Sequence, residues 1–169
     1  MRLLSAIAVA AILAAGTTPA HSKTITFEGL CAPDGEIANI SPYDHFRWAH
    51  IGAVGKDAGG GYAAVAHGDV AGYSWGGWTA RFSSKTPFSL FSGHFAAAWH
   101  SGLQVTFSAY RDGVLMGTKI VLLDPVDTKL LFDDSFAHID TVTFHASGHG
   151  HPPNTNQLGF DNLKVVLDR

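Results

Sequence analysis

His145, His149 and His151 fall within the nine-residue string HASGHGHPP. Imidazole nitrogens ligate zinc, copper and nickel, and in an extended segment residues of equal parity project to the same side. All three are odd-numbered, so a divalent-metal site is open to them. A catalytic zinc site needs three fixed ligands, groups that orient them and an open position, whereas two of these histidines sit in a Gly-Pro segment whose geometry the sequence leaves free. The alternative is a solvated polar loop. A second group is aromatic: Tyr73-Ser74-Trp75-Gly76-Gly77-Trp78, with Tyr43 and Tyr62 elsewhere. Trp75 and Trp78 have opposite parity, so one alternating core face does not take both, and at least one indole is expected at the surface. A flat indole beside a few polar groups suits stacking on a sugar ring. Against it stands ordinary packing, with one tryptophan in the core and one at its rim.

Motifs for other chemistries are absent from the string. There is no His-Glu-x-x-His helix, no phosphate loop, and no Glu-x-Asp-x-x-Glu strand of the kind sandwich-fold glycosidases carry; Gly72-Tyr73-Ser74-Trp75-Gly76 has the Gly-x-Ser-x-Gly spacing but runs into Gly77-Trp78 and not into a helical pattern, so it is no nucleophile elbow. Cys31 is the only cysteine. It has no Cys-x-x-Cys partner and reads as a buried, inert thiol.

The elements that must position these residues are strands. Alternation marks Thr24 to Glu28, His45 to Trp48, Leu103 to Tyr110, and the end of Leu158 to Leu167. Leu103–Tyr110 runs into Arg111-Asp112-Gly113 and is followed by β-rich Val114–Leu123, so Asp112-Gly113 predicts a two-residue hairpin, because both central positions of that turn need positive φ. Further strands are predicted at Tyr62–Ala66, Thr79–Phe82, Phe88–Phe91, Phe95–Trp99, Leu130–Phe132 and Ile139–Phe144. Gly55–Gly61 and Gly148–Asn156 read as long loops. About ten short strands separated by Gly, Pro, Asp and Ser clusters predict an all-β fold, a two-sheet antiparallel β-sandwich of jelly-roll type.

Phe27-Glu28, Tyr43-x-x-Phe46-x-Trp48, Ala97-Ala98-Trp99 followed by Gly102-Leu103, Ile139-Asp140-x-Val142-x-Phe144 and Gly159-Phe160-Asp161-Asn162-Leu163, taken in order, resemble a group of secreted bacterial lectin-like jelly-roll proteins of the PEP-CTERM-associated type. The sorting tail such proteins often carry does not follow Asp168-Arg169. The resemblance implies a structural calcium between a carboxylate on the first strand and one on the last, which places Glu28 and Asp161, with Asn162 as a supplementary oxygen donor, in that role. Calcium takes six to eight oxygens, so carbonyls or water must complete the set. The alternative is that Glu28 caps a turn and Asp161 accepts backbone hydrogen bonds.

Residues 1–20 read as a signal peptide, with Arg2, an apolar stretch from Leu3 to Ala15 and small residues up to Ala20. Residues 21–169 are then one domain. No later stretch reaches about 18 consecutive apolar residues, so no membrane insertion is expected. Without Arg2 the chain has 10 Lys and Arg against 14 Asp and Glu and no basic cluster, which argues against nucleic acid. The expectation is therefore a secreted, extracellular or periplasmic, non-catalytic module whose partner is a polysaccharide or glycan. The alternatives are a structural or adhesive matrix protein and a small metal-dependent or polysaccharide-lyase-like enzyme.

Overall fold

The computed structural model describes residues 21–30, 35–148 and 150–168. The expected signal peptide, Cys31 and His149 lie outside them. Eleven strands and one short helix follow in the order β1 (His21–Ile25), β2 (Glu36–Ile37), β3 (Arg47–Ala49), β4 (Ile51–Gly55), α1 (Gly60–Val65), β5 (Val70–Ser74), β6 (Thr79–Ala97), β7 (Leu103–Arg111), β8 (Val114–Leu123), β9 (Thr128–Leu131), β10 (Ile139–Ser147) and β11 (Leu158–Leu167). All pair antiparallel. The main path runs β2-β4-β5-β11-β6-β10-β7-β8, with β1 on β11 and both β3 and β9 on β6.

The all-β sandwich expected from the alternation is present, and its two layers are continuous through β6. The first part of this strand lies between β3 and β10, with Phe82 opposite both Trp48 and Val142. From Phe88 onward it pairs instead with β11, and from Ser92 to Phe95 with β9. The change of partner follows the polar stretch Ser83-Ser84-Lys85-Thr86-Pro87. That stretch, with Ser92-Gly93-His94 after Phe91, makes the sequence read as three strands, Thr79–Phe82, Phe88–Phe91 and Phe95–Trp99, where the chain has one that turns between layers and ends at Ala97. A proline is tolerated there because it cannot donate to a regular ladder and the ladder is being exchanged.

Side chains of the two layers meet in an aromatic core. Phe144 of β10 lies 5.3 Å from Phe160 of β11, and Phe95 of β6 lies 5.1 Å from Phe107 of β7, both pairs edge-on. Such edge-to-face contact sets the positive rim of one ring against the negative face of the other. β7 buries Leu103, Val105, Phe107 and Ala109 while the intervening residues remain outside, as its two-residue period requires. Its hairpin to β8 turns on Asp112 and Gly113, with φ of 50° and 78°, as the dipeptide predicts. The first and last strands are neighbours, Ile25 standing opposite Leu163.

Two expectations are corrected. Tyr62–Ala66 is not a strand: residues Gly60–Val65 form α1, in which Tyr62 and Val65 are buried and Ala63 and Ala64 exposed. Gly55–Gly61 is likewise no simple loop, since Lys56–Ala58 makes a 3-10 turn and Gly60 opens the helix. The glycines serve close approach. The Gly61 amide donates to the Ala98 carbonyl at 2.9 Å, and a side chain at Gly60 or Gly61 would run into the carbonyl oxygens of Ala98 and Ala97. Ala96, Ala97 and Ala98 are buried and small for the same reason: the helix lies directly on the end of β6 and past it.

Candidate functional site

Docking α1 against the end of β6 creates a cleft of about 180 Å³ lined by Glu36, Val54, Ala58, Tyr62, Tyr73, Trp99 and Gln157. The Tyr62 hydroxyl, from α1, donates to Gln157 Oε1 at 2.8 Å, and the Trp99 indole N–H donates to the same oxygen at 2.7 Å. Two donors on that atom fix the orientation of the amide, so its NH2 group is left to donate. The Tyr62 and Trp99 rings meet edge-on at 5.5 Å, and Tyr62 meets Tyr73 at 6.0 Å. The Tyr73 hydroxyl donates to Glu36. Burial pushes both phenols well above the usual tyrosine range, with the hydrogen bond to Glu36 adding to the effect at Tyr73. Both therefore remain neutral donors, while Glu36 supplies an acceptor. Trp99 is 50% exposed, so an indole face stands open to solvent beside these polar groups. Three larger hollows, of about 500 Å³ beside Arg47 and Lys85, about 550 Å³ beside Phe91 and Lys129 and about 340 Å³ beside Gln104 and Leu122, contain no tryptophan or tyrosine.

The aromatic residues singled out in the sequence divide. Tyr73 is buried in the cleft wall. Trp75 is half-buried behind it, packed on the small cluster of Val54, Tyr62, Tyr73 and Ala98, with its indole N–H donating to the Ala38 carbonyl at 3.0 Å. Trp78 is 57% exposed and lies over His50, ring centres 4.8 Å apart. The parity argument is met by the turn at Gly76-Gly77, where Gly77 has φ of 77° and a side chain at Gly76 would strike the Asn154 backbone. Tyr43 stands apart from this group: its hydroxyl donates to the Thr26 carbonyl at 2.7 Å and its ring stacks on Phe27. Sequence reading missed Glu36, Trp99 and Gln157. Nothing in their flanking residues distinguishes them, since it is the helix docking that gathers them.

Glu28 and Asp161 meet through one loop. Asp161 is buried, its Oδ2 accepting the His67 amide at 2.9 Å and its Oδ1 the Asn162 amide at 2.7 Å. Glu28 accepts the amides of Asp69 and Val70 at 3.0 to 3.1 Å. Together the two carboxylates hold the main chain from His67 to Val70. A side chain at Gly68 would collide with the Glu28 carboxylate, so the tight approach needs glycine. Burial raises the Asp161 carboxyl above its ordinary range, and the His67 and Asn162 amides oppose that rise. Asn162 itself is in the left-handed region at φ of 50°.

The two described histidines of the opening string, His145 and His151, have separate partners. His145, exposed on β10, has Nδ1 3.4 Å from Thr79 Oγ1. His151 stacks on His100 at 3.8 Å with nearly parallel rings, and His100 Nε2 lies 3.1 Å from Asn156 Oδ1. Among the described residues, three histidine and acidic side chains do converge elsewhere: His67, His94 and Asp127, with one ligand atom from each all within 4.8 Å of one another.

No family model and no curated protein sequence matches the chain. Among solved structures it is similar to TmCBM61 in complex with beta-1,4-galactotriose, at 13% identity and a TM-score of 0.47, covering 85% of this chain and 94% of that one. It is also similar to CBM51 from Clostridium perfringens GH95 in complex with methyl-galactose, at 9% identity and 0.42, covering 85% and 99%. A third similarity is to a cyclase from Fischerella sp. TAU, at 11% identity and 0.41, covering 88% and 98%. These are likenesses of chain path and carry nothing about ligand or activity.

Proposed function

We propose that the protein is a secreted, non-catalytic binding module whose ligand is a carbohydrate, held in the cleft beside Trp99. The observation that carries this reading is an exposed indole face next to fixed hydrogen-bonding groups of both kinds. The Gln157 amide donates, the Glu36 carboxylate accepts, and the buried Tyr62 and Tyr73 hydroxyls hold both in place. A pyranose presents one apolar face and a rim of hydroxyls, which is the complement of such a wall. Carbohydrates in the exported setting implied by residues 1–20 are those of cell surfaces and environmental polysaccharides. A glycan array probed with the full chain tests the reading, and retention of one glycan class is the expected result. Absence of retention across neutral and acidic polysaccharides would count against it.

A structural calcium at Glu28, Asp161 and Asn162 belongs to the same proposal. Its support is that both acids converge on one loop between the first and last strands. Added calcium is then expected to raise the melting temperature and EDTA to reverse the rise, because an ion bound only by the folded chain stabilises it by mass action. The increment should vanish in Asp161→Asn. A melting curve indifferent to calcium leaves the two carboxylates as anchors of backbone amides alone.

A second reading, self-association into a structural layer, has one observation in its favour. β8 ends the strand order, and on it Val114, Leu115, Ile120 and Leu122 are each more than half exposed. Apolar edge strands template pairing with another copy. Light scattering that shows growth with concentration, without glycan retention, selects this reading.

A further inference from the structure

We propose that His67, His94 and Asp127 form a binding site for a divalent transition-metal ion of the zinc class. The three come from different parts of the chain: His67 from the loop between α1 and β5, His94 from β6, and Asp127 from the segment just before β9. His67 Nε2 lies 3.5 Å from Asp127 Oδ2, and His94 Nδ1 lies 2.9 Å from Oδ1 and 3.0 Å from Oδ2. Zinc binds nitrogen and oxygen donors at about 2.0 to 2.2 Å, so the edge of its tetrahedron is roughly 3.3 Å. The nitrogen–oxygen spacings bracket that edge, and the two histidine nitrogens lie within 4.8 Å of each other.

The hydrogen-bond pattern around the cluster points the same way. His67 Nδ1 is 2.9 Å from the Val65 carbonyl oxygen, which requires a proton on that nitrogen. In the neutral ring Nε2 is then a bare lone pair, and it faces a carboxylate oxygen that is also an acceptor. Two acceptors set against each other call for a cation between them. His94 directs its Nδ1 at the same carboxylate, with its ring centre only 4.0 Å from that of His67. Two imidazolium ions at that spacing repel each other, whereas one divalent ion satisfies all three groups. A carbonyl that fixes the tautomer of a histidine from behind is also the usual outer support of a metal-ligating imidazole. Among the described residues, the basic side chains within 4.0 Å of the Asp127 carboxylate are these two histidines and no lysine or arginine.

The site is built on held backbone. The His67 amide is bound by buried Asp161, which stands opposite His94 in the β11–β6 register, and the next amides of the loop are bound by Glu28. Asp161 and Glu28 are therefore positioning residues for the cluster. The ligand side chains remain 21 to 37% exposed, so the remaining coordination position faces solvent. Two nitrogens and a carboxylate suit zinc and its neighbours rather than calcium, which takes oxygen alone. In a chain with one cysteine, such an ion would tie three distant segments together without a disulfide.

The full chain, stripped with EDTA and dialysed, is to be titrated with Zn2+ by calorimetry and with Co2+ by visible absorption. The expected result is one ion bound at this site, with binding weakened at least about tenfold in His67→Ala and His94→Ala. Asp127→Asn, which keeps the volume of the side chain and one acceptor oxygen but removes the charge, should weaken it comparably. His151→Ala should leave it unchanged, and all four variants should melt as the parent does when no metal is present. Unaltered Zn2+ affinity in both His94→Ala and Asp127→Asn, loss through His151→Ala instead, or no binding by the parent would each overturn the proposal.

Discussion

Trp99→Ala is expected to weaken glycan binding by about thirtyfold or more while leaving the protein folded. Truncating a central aromatic anchor typically costs about 2 kcal/mol or more, and each 1.4 kcal/mol is a factor of ten. Trp99 qualifies as such an anchor because half its surface is open, while its edge is fixed by Tyr62 and its N–H by Gln157. Folding should tolerate its loss, since Gln157 Oε1 retains the Tyr62 hydroxyl as donor and the ring lies outside the main core. Trp78→Ala is the contrasting variant. Its indole is as exposed but faces His50, apart from the residues that line the cleft, so binding should stay within about twofold of the parent. Affinity electrophoresis in gels containing the retained glycan measures both. If Trp78→Ala abolishes retardation and Trp99→Ala does not, the sugar lies on the His50 face and the cleft is not the site.

Phe160→Ala is expected to lower the unfolding free energy by about 3 to 5 kcal/mol, the range for removing a buried phenylalanine. Phe160 is fully buried and touches both layers, with ring centres 5.4 Å from Phe27, 5.3 Å from Phe144 and 6.3 Å from Phe95. Gly72 packs under it so closely that a methyl group there would come within 2.7 Å of the Phe160 and Phe27 rings. The site has little room to collapse inward without disturbing both sheets, and that is the condition under which a cavity costs most. Typical domains are stable by only about 5 to 15 kcal/mol, so the variant should lose a large share of its stability. Urea denaturation checks this, with Phe91→Ala as control because Phe91 is 46% exposed on β6. A loss under about 1 kcal/mol at Phe160 would mean that the layers do not rely on this contact.

The same physics separates what the chain shows locally from what it hides. Leu103 to Arg111 and the Asp112-Gly113 turn were readable because a strand's period and a turn's φ requirement act over a few residues. β6 reads as three strands for a related reason: the polar runs before Phe88 and before Phe95 are local signals, and only the partners on either side reveal that the strand passes through them. α1 is missed because its residues fall across two other readings, a glycine-rich loop at Gly55–Gly61 and a strand at Tyr62–Ala66. The use of Gly60 and Gly61 is a backbone approach to Ala97 and Ala98 that no single segment encodes.

From the sequence alone came the all-β class, the hairpin and an unburied indole in the Trp75–Trp78 turn, because each rests on near-neighbour parity or turn chemistry, whereas the adjacency of the first and last strands was implied only by the resemblance to jelly-roll proteins. The tertiary structure alone decided which side chains share a site. Tyr62 and Trp99 meet Gln157 across 95 and 58 residues of chain, and His67 and His94 meet at Asp127. Contacts over such separations depend on how the layers stack and where the helix docks, and those outcomes are set by the packing of the whole core and not by the residues that finally touch.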